Sequence, residues 1–330
     1  MVRAAESSGM RNLYIHVGPP KTGTSAVQQL CRTRPDLPVL YPQVGLWADG
    51  SHHNLVFNFF GHAARPELVA EDSAAQFARI AALAAADDRD LLISSESLAG
   101  LDVGAFIRAL LGHLGQGWAP QILFACREHF EWVASLYNQS VKDPVLREQQ
   151  RPGAYLRASA RRFCIMPMLE RLSATGFPVR VVSYHPAADF VPRFLRAIGI
   201  GEAEQLPVER RNISLGVVGL VAMLAVKQVL AEPEEIERHL RALRGMKGLF
   251  ASAPLIFDHE SMAAVEPIFA EDRTRLAQAH GVLLPTVELA TREDQFFLTQ
   301  SDFDQLTSRF APLGPQAEAI SLALLSFVRA

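Results

Sequence analysis

Three cysteines in 330 residues, Cys31, Cys126 and Cys164, are too few and too irregularly spaced for a disulfide framework or a zinc site. They read as core thiols in a reducing compartment. An excess of one charge is also missing, with 32 Lys and Arg against 35 Asp and Glu. The overall basic surplus behind non-specific nucleic-acid binding is therefore absent, and no nucleic-acid partner is expected. The opening residues carry charge, serine and glycine but no apolar stretch of the kind a secretory signal needs. The longest apolar run, 215–226, stops at Lys227, well short of the ~20 residues that cross a bilayer. These absences point to a cytoplasmic protein without a membrane span.

What is present is a chain 49% hydrophobic, long enough to bury a full core without disulfides or metal. Four short apolar runs, at 13–17, 91–94, 122–126 and 179–184, have the bounded, β-branched or aromatic character of buried strands. Between them, 74–86 is alanine-rich with helical spacing, and 130–141 places Phe130, Val133, Tyr137 and Val141 on one helical face. Strands alternating with helices predict an α/β fold, a parallel sheet covered on both sides. After Tyr184 the pattern turns helical, at 190–200, 215–230, 233–244, 262–280 and 318–328, with no convincing strand. Proline and glycine are spread out rather than gathered into a linker. One continuous domain over 1–330 is expected, a sheet core at 11–200 with a mainly helical extension at 201–330.

The most informative stretch follows the first strand: Gly18, Pro19, Pro20, Lys21, Thr22, Gly23, Thr24 and Ser25, then a helix. Gly18 and Gly23 have the G-x-x-x-x-G spacing of a phosphate-binding loop and Ser25 fills its hydroxyl position, but Thr24 stands where a Walker loop has lysine. The lysine lies inside the loop, at Lys21. Walker-type phosphoryl transfer uses the lysine after the second glycine together with Mg²⁺, so an ordinary nucleoside triphosphatase is disfavoured. The backbone donors from Thr22 to Ser25, backed by the helix dipole, still make an anion site, while Pro19 and Pro20 offer no N–H and fix the turn. A second constellation follows the third strand run: Arg127 at its end and Ser135 eight residues later on the next helix. A guanidinium grips a phosphate with paired charge-assisted hydrogen bonds, and a serine hydroxyl adds a neutral donor.

The loop at 18–25 resembles the 5′-phosphosulfate loop of sulfotransferases that use 3′-phosphoadenosine 5′-phosphosulfate (PAPS), and Arg127, Ser135 and Tyr137 resemble that family's 3′-phosphate motif. The Lys-Thr-Gly-Thr form is more similar to the carbohydrate-modifying and bacterial branches than to those acting on small phenols. His129 and Trp132 depart from the proline and the second basic residue frequent in that motif. The likeness continues in outline at 179–184, where His185 replaces a glutamate, and at the basic pair Arg210–Arg211. The resemblance implies a P-loop-type sheet that binds PAPS and releases 3′-phosphoadenosine 5′-phosphate (PAP). It implies Gly18, Lys21, Thr22, Gly23, Thr24 and Ser25 at the 5′ end of the donor and Arg127 and Ser135 at the 3′-phosphate. No metal is required. The acceptor implied is a hydroxyl on a carbohydrate or another small molecule.

In-line sulfuryl transfer needs the acceptor's proton removed and the growing charge on the departing oxygen neutralised. Lys21 is placed for the second task. Two residues qualify for the first. His53 follows the loop 45–51 and titrates near neutrality without tuning, whereas Glu96, directly after the second strand run, needs desolvation to raise its pKa. The run 55–60 is either pocket lining or core, and His16, inside the first strand, reads as a core histidine. His129, His185, His259 and His280 have no partner legible in the sequence. Two other readings fit part of the pattern: a P-loop nucleoside-triphosphate-dependent phosphotransferase, and a nucleotide-binding interaction module without transfer chemistry.

Overall fold

The computed structural model describes residues 9–62, 69–184, 190–201, 214–246, 249–251, 256–287 and 296–329. In chain order the elements are β1 (Arg11–Val17), α1 (Thr24–Thr33), β2 (Val39–Leu40), α2 (His53–Phe60), α3 (Ser73–Ala85), β3 (Asp90–Ser94), α4 (Val103–Leu114) and β4 (Trp118–Cys126). There follow α5 (His129–Lys142), α6 (Pro152–Ser159), α7 (Met166–Ser173), β5 (Val179–Ser183), α8 (Phe190–Ala197), β6 (Ser214–Leu215), α9 (Val217–Val229) and α10 (Pro233–Ala242). The last are β7 (Phe250–Ala251), α11 (His259–His280), α12 (Gln300–Phe310) and α13 (Ala317–Leu325). They fall into two compact units. The first takes Met1–Arg127, Ile165–Arg210 and Arg275–Leu284; the second takes Glu128–Cys164, Arg211–Thr274 and Pro285–Ala330.

The first unit is built on a five-stranded sheet in the order β2-β3-β1-β4-β5, and every pairing in it is parallel. This is the α/β class expected from the alternating pattern. Leu13, Ile15 and Val17 on one face of β1, and Ile122, Leu123 and Phe124 on the two faces of β4, are all fully buried, and the other face of β1 buries Tyr14 and His16. On one face Tyr14, Leu92, Leu123, Ala125 and Val182 pack with Val27, Leu30 and Cys31 of α1 and Phe190, Val191 and Phe194 of α8. The other side carries α3 and α4, where Phe77 meets Phe106 edge to face at 5.4 Å between ring centroids. Asp72 and Asp102 start these two helices by accepting from Ala74 N–H and Ala105 N–H.

From β1 the chain runs outward to β2 and returns through β3. It then crosses α4 to reach β4, on the opposite side of β1. Strand order thus reverses at β1, and open parallel sheets place their ligands beyond the carboxyl ends of strands at such a reversal.

Among its described residues the second unit is mainly helical, with one short antiparallel pair, Ser214 with Ala251 and Leu215 with Phe250, and a parallel bridge between Leu298 and Val328. This corrects the expectation of no strand after Tyr184. Two-residue strands carry no alternation from which a period could be read. Helix α9 is buried nearly all round, from Gly219 to Lys227, because α5, α10 and α13 surround it. Among the described residues no helix is long and apolar enough to cross a membrane.

Lys227 is buried in this apolar helix and its ammonium spends all three protons at the end of α5. It donates to the carbonyls of Ser140, Asp143 and Leu146 at 2.8, 2.6 and 2.7 Å. Burial pulls its pKa down to about 8. Lys227→Met would strand those carbonyls in the interior, and a loss of about 3 kcal/mol in urea unfolding at pH 7 is expected.

Candidate active site

The six residues between Val17 and Thr24 carry the chain from β1 into α1, and two of them take left-handed backbone conformations: Lys21 (φ 71°) and Gly23 (φ 87°). At Gly23 a side chain has neither the conformation nor the room. An added Cβ would lie 2.6 Å from Tyr184 Cδ2 and 2.7 Å from Phe190 Cδ1. At Gly18 an added Cβ would press on Ala125 Cβ of the neighbouring strand at 3.1 Å. Buried Thr22 donates its hydroxyl to Pro19 O at 2.8 Å, so its side chain closes the loop and only its backbone faces outward chemistry. Gly23 is the N-cap of α1 and brings no side-chain acceptor; Ala26 N–H returns to Gly23 O at 3.2 Å. The N–H groups of Thr24 and Ser25, at the head of the helix, have no intrahelical acceptor and carry the positive end of its dipole.

Lys21, Thr24, Glu96 and Arg127, four of the residues predicted to line the site, are joined around this loop. Arg127, at the end of β4, donates to Lys21 O at 3.1 Å, and its guanidinium lies 4.7 Å from the Tyr184 ring centroid. Thr24 donates its hydroxyl to Glu96 Oε1. Glu96 begins the 3₁₀ turn Glu96–Gly100 that follows β3. Burial pushes its carboxyl up to about 7; the Lys21 charge opposes that rise and Asp49 adds to it.

His53, the first residue of α2, holds Nδ1 2.8 Å from Ser95 Oγ and 3.1 Å from Ser97 Oγ, the hydroxyls on either side of Glu96. Its ring stacks on Phe57 at 5.9 Å and meets Trp47 edge-on at 6.3 Å. Burial lowers its pKa, with Asp49 acting in the opposite direction. Burial therefore favours the neutral imidazole.

The neighbouring His52 has a different task. Its Nδ1 accepts from Ser94 N–H at 3.1 Å, which fixes Nε2 as the protonated nitrogen, and Nε2 donates to Pro42 O at 3.0 Å. Fully buried, its pKa falls to about 4. Of the pair, only His53 is left for chemistry. His16 is the core histidine expected: Nδ1 meets Ser94 Oγ at 2.8 Å, burial lowers its pKa to about 3, and Nε2 has no hydrogen-bond partner among the described residues.

Ser25 is exposed at the head of α1. Ser135 lies half-buried on α5, in the second unit. His185, Arg210 and Arg211 lie outside the described residues. His129, for which the sequence offered no partner, has one in the second unit: Nε2 stands 2.8 Å from Asp272 Oδ2, with both side chains buried and Phe269 stacked on the imidazole at 4.7 Å. A separation of 143 residues hides that pair from any reading of spacing. The run 55–60 is divided: Leu55 and Val56 are fully buried, whereas 57–60 are half-buried, with Phe59 packed on Phe77 and Phe106 and Phe57 backing His53.

Sequence reasoning missed Ser95, Ser97, Trp47 and Tyr184 as parts of this site. The serines had a signal, a run of hydroxyls around the carboxylate that follows β3. Among the described residues no group of three or more His, Cys, Asp and Glu side chains is disposed to hold a metal ion. No protein-family model matches the chain, and no curated protein matches it either.

Two outcomes follow from the loop's backbone. Gly23→Ala is expected to cost about 2–4 kcal/mol in chemical denaturation, the sum of left-handed strain and overlap with Tyr184 and Phe190. Lys21→Gly relieves the same kind of strain against a larger unfolded-state entropy, so stability unchanged or raised by up to about 1 kcal/mol is expected in the same measurement.

Proposed function

We propose that the chain is a PAPS-dependent sulfotransferase that acts on a hydroxyl of a carbohydrate or glycosylated metabolite. The observation that carries this reading is Lys21 held in a left-handed turn beside the open N-terminus of α1, with Arg127 fixed to its carbonyl. A donor with an anionic group at each end fits that cradle. The N–H groups of Thr24 and Ser25 and the Lys21 ammonium suit its 5′ end. Arg127 suits its 3′-phosphate.

PAPS supplies the activated sulfuryl group. Lys21 bears the negative charge that grows on the bridging oxygen of departing PAP as the S–O bond breaks. His53, neutral and with Nε2 clear of hydrogen bonds to the described residues, takes the proton from the acceptor hydroxyl as its oxygen bonds to sulfur. Glu96 is the alternative base considered, but its carboxyl is engaged by Thr24. Trp47 and Phe57 give the ring of His53 an apolar wall of the kind that stacks on sugar faces. Cys31 and Cys126, buried and not joined by a disulfide, suit a cytoplasmic setting.

Calorimetric titration with PAP, with adenosine 5′-phosphate and with ATP plus Mg²⁺ tests the donor assignment. Tight binding that depends on the 3′-phosphate is expected, weakened at least about ten-fold by Arg127→Ala. Preference for Mg-ATP would establish a phosphotransferase instead. Lys21→Ala is expected to lower transfer by about 100-fold or more with the fold retained, as for other losses of transition-state charge stabilisation.

A further inference from the structure

The contact between Thr24 and Glu96 sets a condition on the loop that the donor assignment alone does not contain. A hydroxyl has one proton to donate, and in this structure Thr24 gives it to Glu96 Oε1. A carboxylate at the first residue of a helix, within range of the Lys21 charge, satisfies the same electrostatics that would attract an exogenous anion. The position is partly buried, so an arriving anion and an ionised Glu96 would repel each other with little screening.

We propose that the Glu96 carboxylate holds the place of a bound anion at the head of α1, so that an anion enters the Lys21–Ser25 loop only as Glu96 takes up a proton. The proposal rests on the donor-site reading and adds a proton linkage to it. A Glu96 protonated in the loaded state cannot accept the acceptor's proton, which leaves that task to His53.

Lys21 on the loop favours the carboxylate, and Asp49, in the segment before α2, disfavours it. His53 of α2 bonds to the serines on either side, and His16 of β1 accepts Ser95 N–H at its carbonyl; burial favours the neutral form of both rings. Arg171 of α7 donates to Ala99 O in the same 3₁₀ turn. Of these groups Glu96 is the one poised to titrate near neutrality, its carboxyl standing at about 7. A group whose bound-state proton affinity exceeds that of the free state makes binding weaker as pH rises through the free-state value.

Sulfate does not titrate between pH 6 and 8.5 and is the probe. Calorimetry on the full chain at constant ionic strength is expected to show sulfate affinity falling at least about ten-fold from pH 6 to pH 8.5. Net proton uptake is expected at pH 7.5 in buffers of different ionisation enthalpy. Glu96→Gln is expected to bind sulfate at pH 8.5 as tightly as the wild type does at pH 6, with no dependence on pH. Sulfate affinity independent of pH in the wild type, binding without proton uptake, the wild-type pH dependence retained in Glu96→Gln, or no sulfate binding at all would each overturn the proposal. Should the variant not fold, the wild-type proton count decides. PAP titrated alongside separates the two readings. Glu96-dependent sulfate binding without PAP binding removes the donor and keeps the linkage, whereas PAP binding with pH-independent sulfate binding keeps the donor and removes the linkage.

Discussion

The chain must turn from a fully buried central strand into a helix within six residues, and the site depends on how that reversal is made. Two left-handed conformations, at Lys21 and Gly23, achieve it. Gly23 meets the demand at no steric cost and lets the rings of Tyr184 and Phe190 close against its backbone. Lys21 meets it at the expense of conformational strain, which places a cation at the turn. Thr22 ties the turn to Pro19 and Arg127 ties it to β4. Strain kept at one residue while its surroundings are over-determined is the pattern of a site held ready for a ligand.

Beneath the loop, Ser94 organises a buried polar layer. Its hydroxyl meets His16 and Gln28, its N–H fixes the tautomer of His52, and its carbonyl receives His52 N–H. The layer joins β1, α1, β3 and the head of α2 through short directional bonds, so the elements that flank the loop are tied to one another beneath it. It also divides labour among three histidines. His16 and His52 are kept neutral in the interior as structural partners, and His53 alone stands at the edge of the layer.

The sheet was legible because four of its strands are continuous apolar runs between glycine, proline and polar punctuation, and α1, α3, α5, α8, α9, α10, α11 and α13 because their spacing is helical. Helices α2, α4, α6, α7 and α12 escaped, and so did what is short or long-range. Strands β2, β6 and β7 have two residues each, and the partner of His129 lies far along the chain. The loop and Arg127 were legible because glycine spacing and a charged residue at a strand end are local signals. The contact of Thr24 with Glu96, and the different fates of His52 and His53, depend on which way side chains turn once β1 and β3 lie side by side, and adjacent letters do not encode that.

The interleaving of the two units bears on how the protein is made. The last strand of the five-stranded sheet, β5, ends at Ser183, yet the first unit takes its final segment from Arg275–Leu284. During synthesis from the N-terminus the sheet has all its strands once β5 has left the ribosome, but its unit waits for roughly another hundred residues, a delay of several seconds at ordinary elongation rates. Over that interval the nascent chain carries a paired sheet whose own closing segment is still untranslated. Rare codons between β5 and α11 would thus lengthen the time for which the first unit lacks its last segment.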